Sequence, residues 1–339
     1  MFRKRIDTMS EEKYIPVEDD VIMHDSEHMK LAEFVPKEIG LESLTQSDFP
    51  RIAKNEKLMR KIIASVKRIP TKQTIVHGDS RCMNLGSEIQ LVVTSPPYWI
   101  LKKYDPIRGQ LGAIEDYEQF LVELDKVWKQ CYEMLVPGGR IVIVVGDVCL
   151  ARRKYHRHRV VPLHSSIQEH CQRIGFDNLA PIIWYKISNV RFEVEGGRFL
   201  GKPYEPNAII KNDVEYILFL RKPGRYRSPN TAQRILSLIS EEEHKIFFQQ
   251  IWNMPGASTR KHPAPFPLSL AERLVKMFSF VGDTVLDPFL GTGTTLFAAG
   301  LWGRDGIGFE IDEKFVEMSL KRLKGDIRFS NVSLVDMIK

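Results

Sequence analysis

At 339 residues the chain is long enough for one large α/β domain with an appended segment, and 43% hydrophobic with 27% charged residues is the make-up of a globular protein. Nothing approaches 18 consecutive apolar residues, which excludes a helical membrane span, and the opening MFRKRIDTMSEEKY lacks the apolar core of a secretory signal, so a cytoplasmic protein is expected. A net charge of +6 and a pI near 9.0 are compatible with a polyanionic partner, while Cys82, Cys131, Cys149 and Cys171 lack the close pairing of a zinc site.

In chain order, the first element is a basic amphipathic stretch, RIAKNEKLMRKIIASVKRIP, with Leu58, Ile62, Ile63 and Val66 at helical spacing. It closes an N-terminal extension of residues 1–72 and reads as a helix packed on the main domain. From residue 73 short apolar runs alternate with helical patterns, the signature of an open α/β sheet. Seven strands are predicted: 74–79, 91–95, 140–147, 180–186, 215–222, 283–289 and 306–311. Helical patterns fall at 116–135, 162–174, 267–280, 293–301 and 312–324, the first stopped by Pro137 to Gly139. Two excursions, 187–213 and 223–253, are too long for ordinary connections. Within the second, Ser240 followed three positions on by Glu243 predicts a capping box. Residues 326–339 form a tail.

Two stretches stand out. LVVTSPPYWI (91–100) is a buried-looking strand stopped by adjacent prolines, which cannot donate backbone hydrogen bonds and fix a rigid, acceptor-rich corner. DTVLDPFLGTGTTLFAAG (283–300) is strand, glycine-rich turn and helix: Gly291 and Gly293 allow close approach to a ligand, and the helix directs its N-terminal amides there. The spacing is neither GxGxxG nor a P-loop, so no pyrophosphate grip is built. Asp287 at the strand end would repel phosphates and suit a cation. Glu310, ending the next strand, is placed to take the hydroxyls of a ribose. S-adenosylmethionine fits these demands.

VTSPPYW at 93–99 resembles the catalytic motif of the DNA amino-methyltransferases, and LDPFLGTGTT at 286–295 looks like their S-adenosylmethionine motif. HPAPFPLSLAERLVKMFS at 262–279 resembles the helix motif that covers the methionine end of the cofactor. The order, catalytic motif first, is that of the circularly arranged beta class. The resemblance spans residues 73–325 and implies a Rossmann-like, seven-stranded α/β methyltransferase sheet with DNA-recognition insertions. It implies cofactor contacts from Asp79, His262, Pro263, Phe266, Asp287, Pro288, Phe289, Gly291, Thr292, Gly293, Thr294 and Glu310. A homodimer and a companion restriction endonuclease are compatible with it, but the sequence itself shows no interface.

An exocyclic amino nitrogen has its lone pair delocalised into the ring, and acceptors for both N–H groups free it for in-line attack. The Ser95 hydroxyl and the carbonyl of Ser95 or Pro96 can be those acceptors, held rigid by Pro96 and Pro97. Tyr98, with Trp99, offers a face for a base rotated out of double-stranded DNA. In the family Ser at the first position goes with N4 of cytosine, Asp or Asn with N6 of adenine, so cytosine N4 is expected first and adenine N6 second. Methylation at cytosine C5 is disfavoured because no cysteine follows a proline. An RNA methyltransferase and a non-catalytic DNA-binding protein are the remaining alternatives. For DNA, the basic loop ARRKYHRHR predicts a phosphate clamp of Arg152, Arg153, Lys154, Arg157 and Arg159, and the two excursions offer Arg191, Arg198, Lys202, Arg225 and Arg227.

Overall fold

The computed structural model describes residues 31–83, 88–101, 107–186, 203, 212–257 and 266–338, and everything below concerns these. All seven predicted strands are present: β1 (Lys72–His77), β2 (Ile89–Thr94), β3 (Leu135–Val145), β6 (Asp177–Tyr185), β7 (Val214–Arg221), β9 (Thr284–Asp287) and β10 (Asp305–Glu310). Four short strands were not foreseen. Of these, β4 (Val148–Leu150) and β5 (Arg159–Val161) make a separate ribbon, while β8 (Ile251–Asn253) and β11 (Asn331–Asp336) cap the two edges of the main sheet. That sheet has nine strands in the order β11-β1-β10-β9-β2-β3-β7-β6-β8. Every pairing in it is parallel except the two made by β7, so β7 alone runs against the rest.

The predicted helices appear at Tyr117–Met134, Leu163–Ile174, Leu268–Phe278, Thr294–Leu301 and Glu313–Lys324. Asp116 caps the first of them by accepting from Gln119 N at 2.7 Å. Pro137 and Gly138 do not stop that helix; the chain has already passed directly into β3 at Leu135. The sheet is buried on both faces. Ile141, Ile143 and Val145 pack with Leu124, Val127 and Trp128 on one side, and Val142 and Val144 with Leu270 and Leu274 on the other. From β2 the chain winds outward to β3, whereas from β9 it winds outward the opposite way to β10. The β2–β9 boundary is therefore the topological switch point, where a doubly wound sheet opens its ligand crevice.

The direction of β7 decides where the two excursions go. Tyr185 pairs Val214, and Tyr216 pairs Val145, so the 187–213 excursion leaves and re-enters at the edge where β2 and β3 end. The end of β7, Arg221, pairs with Arg140 near the start of β3, so the 223–253 excursion departs from the opposite edge. There it folds into helices Thr231–Leu236 and Glu241–Phe247, the latter closed by the expected reciprocal Ser240–Glu243 capping box. Ala232, Ile235 and Leu236 share one core with Ile62 and Val66 of helix Glu56–Val66. The N-terminal extension, so far as it is described, thus packs on the second excursion and not on the edge that carries the site.

Candidate active site

Four parallel strands in a row, β1, β10, β9 and β2, end at one edge, and a cleft opens over them. Ser95 and Pro97 come to it from the corner after β2, Pro288, Phe289 and Gly291 from the turn after β9, Asp79 from the turn after β1 and Glu310 from the end of β10. Motifs distant in sequence are joined because β2 and β9 are neighbours. Apolar walls come from Leu111, Phe289, Phe309, Ile311 and Phe315, and carboxylates from Asp79 and Glu310.

At the corner Ser95 keeps partial exposure while Pro96 and Pro97 are buried. The Tyr98 hydroxyl lies 3.4 Å from Ser95 Oγ and 3.5 Å from the Val144 carbonyl oxygen, with only 6% of the residue exposed. Trp99 has a positive φ of 47°, a strained conformation for a bulky side chain. Its Nε1 donates to the Glu115 carbonyl at 3.1 Å and its ring meets Tyr117 edge-on at 5.0 Å. Trp99 is thus anchored in the core, holding the turn, and is not an open stacking face.

In the glycine turn Gly293 adopts φ 78°, and a Cβ there would stand 3.1 Å from Ser319 Cβ. Arg322 Nη1 donates to the Thr292 carbonyl at 3.2 Å and to Thr294 Oγ1 at 3.0 Å, so these two residues brace the turn from behind. Glu310 is folded inward: Oε2 accepts from Gly291 N at 2.8 Å, and Oε1 from Ile311 N and Asp312 N at 2.9 Å. Burial pushes its carboxyl up to about 7 against these three amides. A carboxylate has about four acceptor sites, so Glu310 can take one hydroxyl without surrendering an amide, not two. Asp287 is 1% exposed and does not line the cleft. Asp79 lines it while pairing with Arg81, which also binds Glu123 and donates to the Gly109 carbonyl at 3.1 Å.

The DNA methylase family model covering amino-directed N6 and N4 enzymes matches residues 89–321. The chain belongs to this DNA amino-methyltransferase family. It is 38% identical over 278 residues to the Type II methyltransferase M.MjaI of Methanocaldococcus jannaschii, covering 72% of this chain and 89% of that one. To the Type II methyltransferase M.MthZI of Methanothermobacter thermautotrophicus it is 34% identical, covering 77% and 79%. Among solved structures, a candidate DNA modification methylase from Thermus thermophilus, complexed with S-adenosyl-L-methionine, is 47% identical with a TM-score of 0.65, covering 79% of this chain and 99% of that one. The methylase takes its methyl group from S-adenosyl-L-methionine. The cleft fits that molecule: apolar walls suit a purine, and Asp79 and Glu310 suit hydroxyls and positive charge.

Several residues of the methylase's site escaped sequence reasoning. Ser80, Gly109, Gln110, Leu111, Ile311 and Phe315 line the cleft, and Arg81 ties the Asp79 and Gly109 segments of it to Glu123. Gly109 and its neighbours belong to no motif, and only folding brings them over the strand ends. Phe266 packs beneath helix Leu268–Phe278, whereas His262 and Pro263 lie outside the described residues, as do Arg191, Arg198 and Lys202.

On the side expected to face DNA the basic tract is not a plain loop. It contains the helical turn Arg152–Tyr155 and joins β4 to β5, a two-stranded ribbon that rises just past the end of β3. Arg152, Lys154, Arg157 and Arg159 are exposed on it and make no ion pair among the described residues; the Arg153 side chain lies outside the description. Arg225 and Arg227 lie elsewhere. Both sit at the opposite sheet edge, where a Cβ on Gly138 would strike the Arg225 carbonyl oxygen, and Arg227 is paired through both terminal nitrogens with buried Asp283. Both therefore stand at the sheet edge opposite the cleft, where β7 delivers the chain.

Proposed function

We propose that the protein methylates the exocyclic N4 amino group of cytosine in a short duplex DNA site, with the target base rotated out of the helix. The observation that carries this reading is the position of Ser95, at the head of Ser-Pro-Pro-Tyr on the end of β2 and lining the same cleft as Glu310 and the glycine turn. Its hydroxyl and the adjoining carbonyls accept from the two N–H groups of the amine, localising the nitrogen lone pair toward the methyl group the cofactor supplies. Pro96 and Pro97 keep these acceptors rigid and cannot compete as donors. Tyr98 supports the base, its ring becoming a stacking surface when the bound nucleotide displaces what now covers it. Arg152, Lys154, Arg157 and Arg159 hold backbone phosphates beside the cleft.

The test is digestion to nucleosides of DNA from cells expressing the protein, followed by mass spectrometry. N4-methylcytosine is the expected product; N6-methyladenine would overturn the base assignment, and no methylated base would overturn the reading itself. Pro96→Ala is expected to lower the transfer rate far more than cofactor affinity, and equal losses would refute the division of roles.

A further inference from the structure

The ladder between β2 and β9 is short: Leu91 pairs Val285, Val92 pairs Leu286, and no pair follows. In the same register Thr94 would face Pro288, which has no N–H to offer. Beyond that point side chains hold the two strands together. Thr94 Oγ1 donates to Asp287 Oδ1 at 2.7 Å, Phe289 N donates to the same oxygen at 3.0 Å, and Thr295 Oγ1 donates to Oδ2 at 2.6 Å. Thr295 Oγ1 also lies 3.3 Å from the Val93 carbonyl oxygen. Thr94, Asp287 and Thr295 are each no more than 1% exposed.

We propose that Asp287 is a positioning residue, fastening the Ser-Pro-Pro-Tyr corner to the cofactor turn through Thr94 and Thr295, and that it does not bind the cofactor. This rests on the reading that residues 95–98 hold the amino group. Thr94 immediately precedes Ser95, and Thr295 lies in the first turn of the helix that follows the glycine turn, so one carboxylate sets the offset between methyl acceptor and methyl donor. No cation pairs with Asp287 among the described residues. Burying such a charge is a costly way to hold a turn, and what it fixes here is the geometry of in-line transfer. A displacement of about 1 Å in that geometry costs on the order of 100-fold in rate.

Asparagine separates geometry from charge. Its carbonyl can accept from Thr94 and Phe289, and its amide can donate to Thr295 Oγ1, whose own hydrogen turns to the Val93 carbonyl. The experiment measures S-adenosylmethionine affinity by calorimetry and single-turnover transfer to duplex DNA for Asp287→Ala, Asp287→Asn, Thr94→Val, Thr94→Ser and Pro96→Ala. Asp287→Ala and Thr94→Val are expected to slow transfer by roughly 100-fold with cofactor affinity held within about threefold. Asp287→Asn and Thr94→Ser should recover most of that loss. If Asp287→Asn weakens cofactor binding as much as Asp287→Ala, the carboxylate contacts the cofactor by charge and the proposal falls. It falls equally if Thr94→Val, the near-isosteric change that guards against a misfolded alanine variant, transfers at full rate while Pro96→Ala is slow. Full-rate Pro96→Ala would instead sink the reading of the corner.

Discussion

Arg227 is expected to matter for stability and not for DNA. Its Nη2 donates to Asp283 Oδ1 at 2.6 Å and its Nη1 to Oδ2, while the Asp283 side chain is 1% exposed and also accepts from Phe280 N at 2.7 Å. Arg227→Met removes the guanidinium, whose Cζ lies 5.5 Å from the centre of the Phe280 ring, and leaves a buried carboxylate with one amide donor. Breaking a buried pair costs about 3–5 kcal/mol, and because Arg227 retains 21% side-chain exposure the lower end applies, about 3 kcal/mol. With a urea slope near 3 kcal/mol/M, the midpoint should fall by about 1 M at unchanged slope. Filter binding to duplex DNA across a series of salt concentrations, at a temperature where the variant is folded, should show unchanged affinity and salt dependence. A weakened, flatter salt dependence with normal stability would refute the placement of Arg227 at the far edge.

Arg157→Ala and Arg159→Ala should each reduce the slope of log affinity against log salt by about 1, with cofactor affinity intact, if each holds one phosphate. Gly109→Ala should raise the Michaelis constant for S-adenosylmethionine by about tenfold, because its φ of 91° disfavours a side chain and the added Cβ would lie 2.9 Å from Ile311 Cδ1 in the cleft wall. Glu310 makes cofactor-free stability fall with rising pH. Its carboxyl sits at about 7 when folded and at about 4.3 when unfolded, so the native state binds more protons in that window. Its contribution is complete below the lower value and lost as pH passes the upper one. Glu310→Gln should flatten the thermal-melt profile over that range, the remaining slope coming from Asp287, raised to about 6 by burial.

What was legible in the sequence was what is local. Apolar runs ending on Ser-Pro-Pro-Tyr and on the glycine turn located β2 and β9, and the Ser240–Glu243 spacing located the start of a helix. Strand direction left no such mark. An antiparallel β7 buried between β3 and β6 carries the same apolar pattern as a parallel one, so EYILFLRK could not reveal that residues 223–253 depart from the edge opposite the cleft. Side-chain duty was equally hidden. Asp287 read as a cleft carboxylate because it ends its strand, yet the pleat turns it inward onto Thr94 and Thr295, while Glu310, ending β10, reaches the cleft. Two strand-end acids on neighbouring strands thus point differently, one toward the cleft and one toward the frame. That division follows from the short β2–β9 ladder, which leaves the join between corner and turn to be made by side chains.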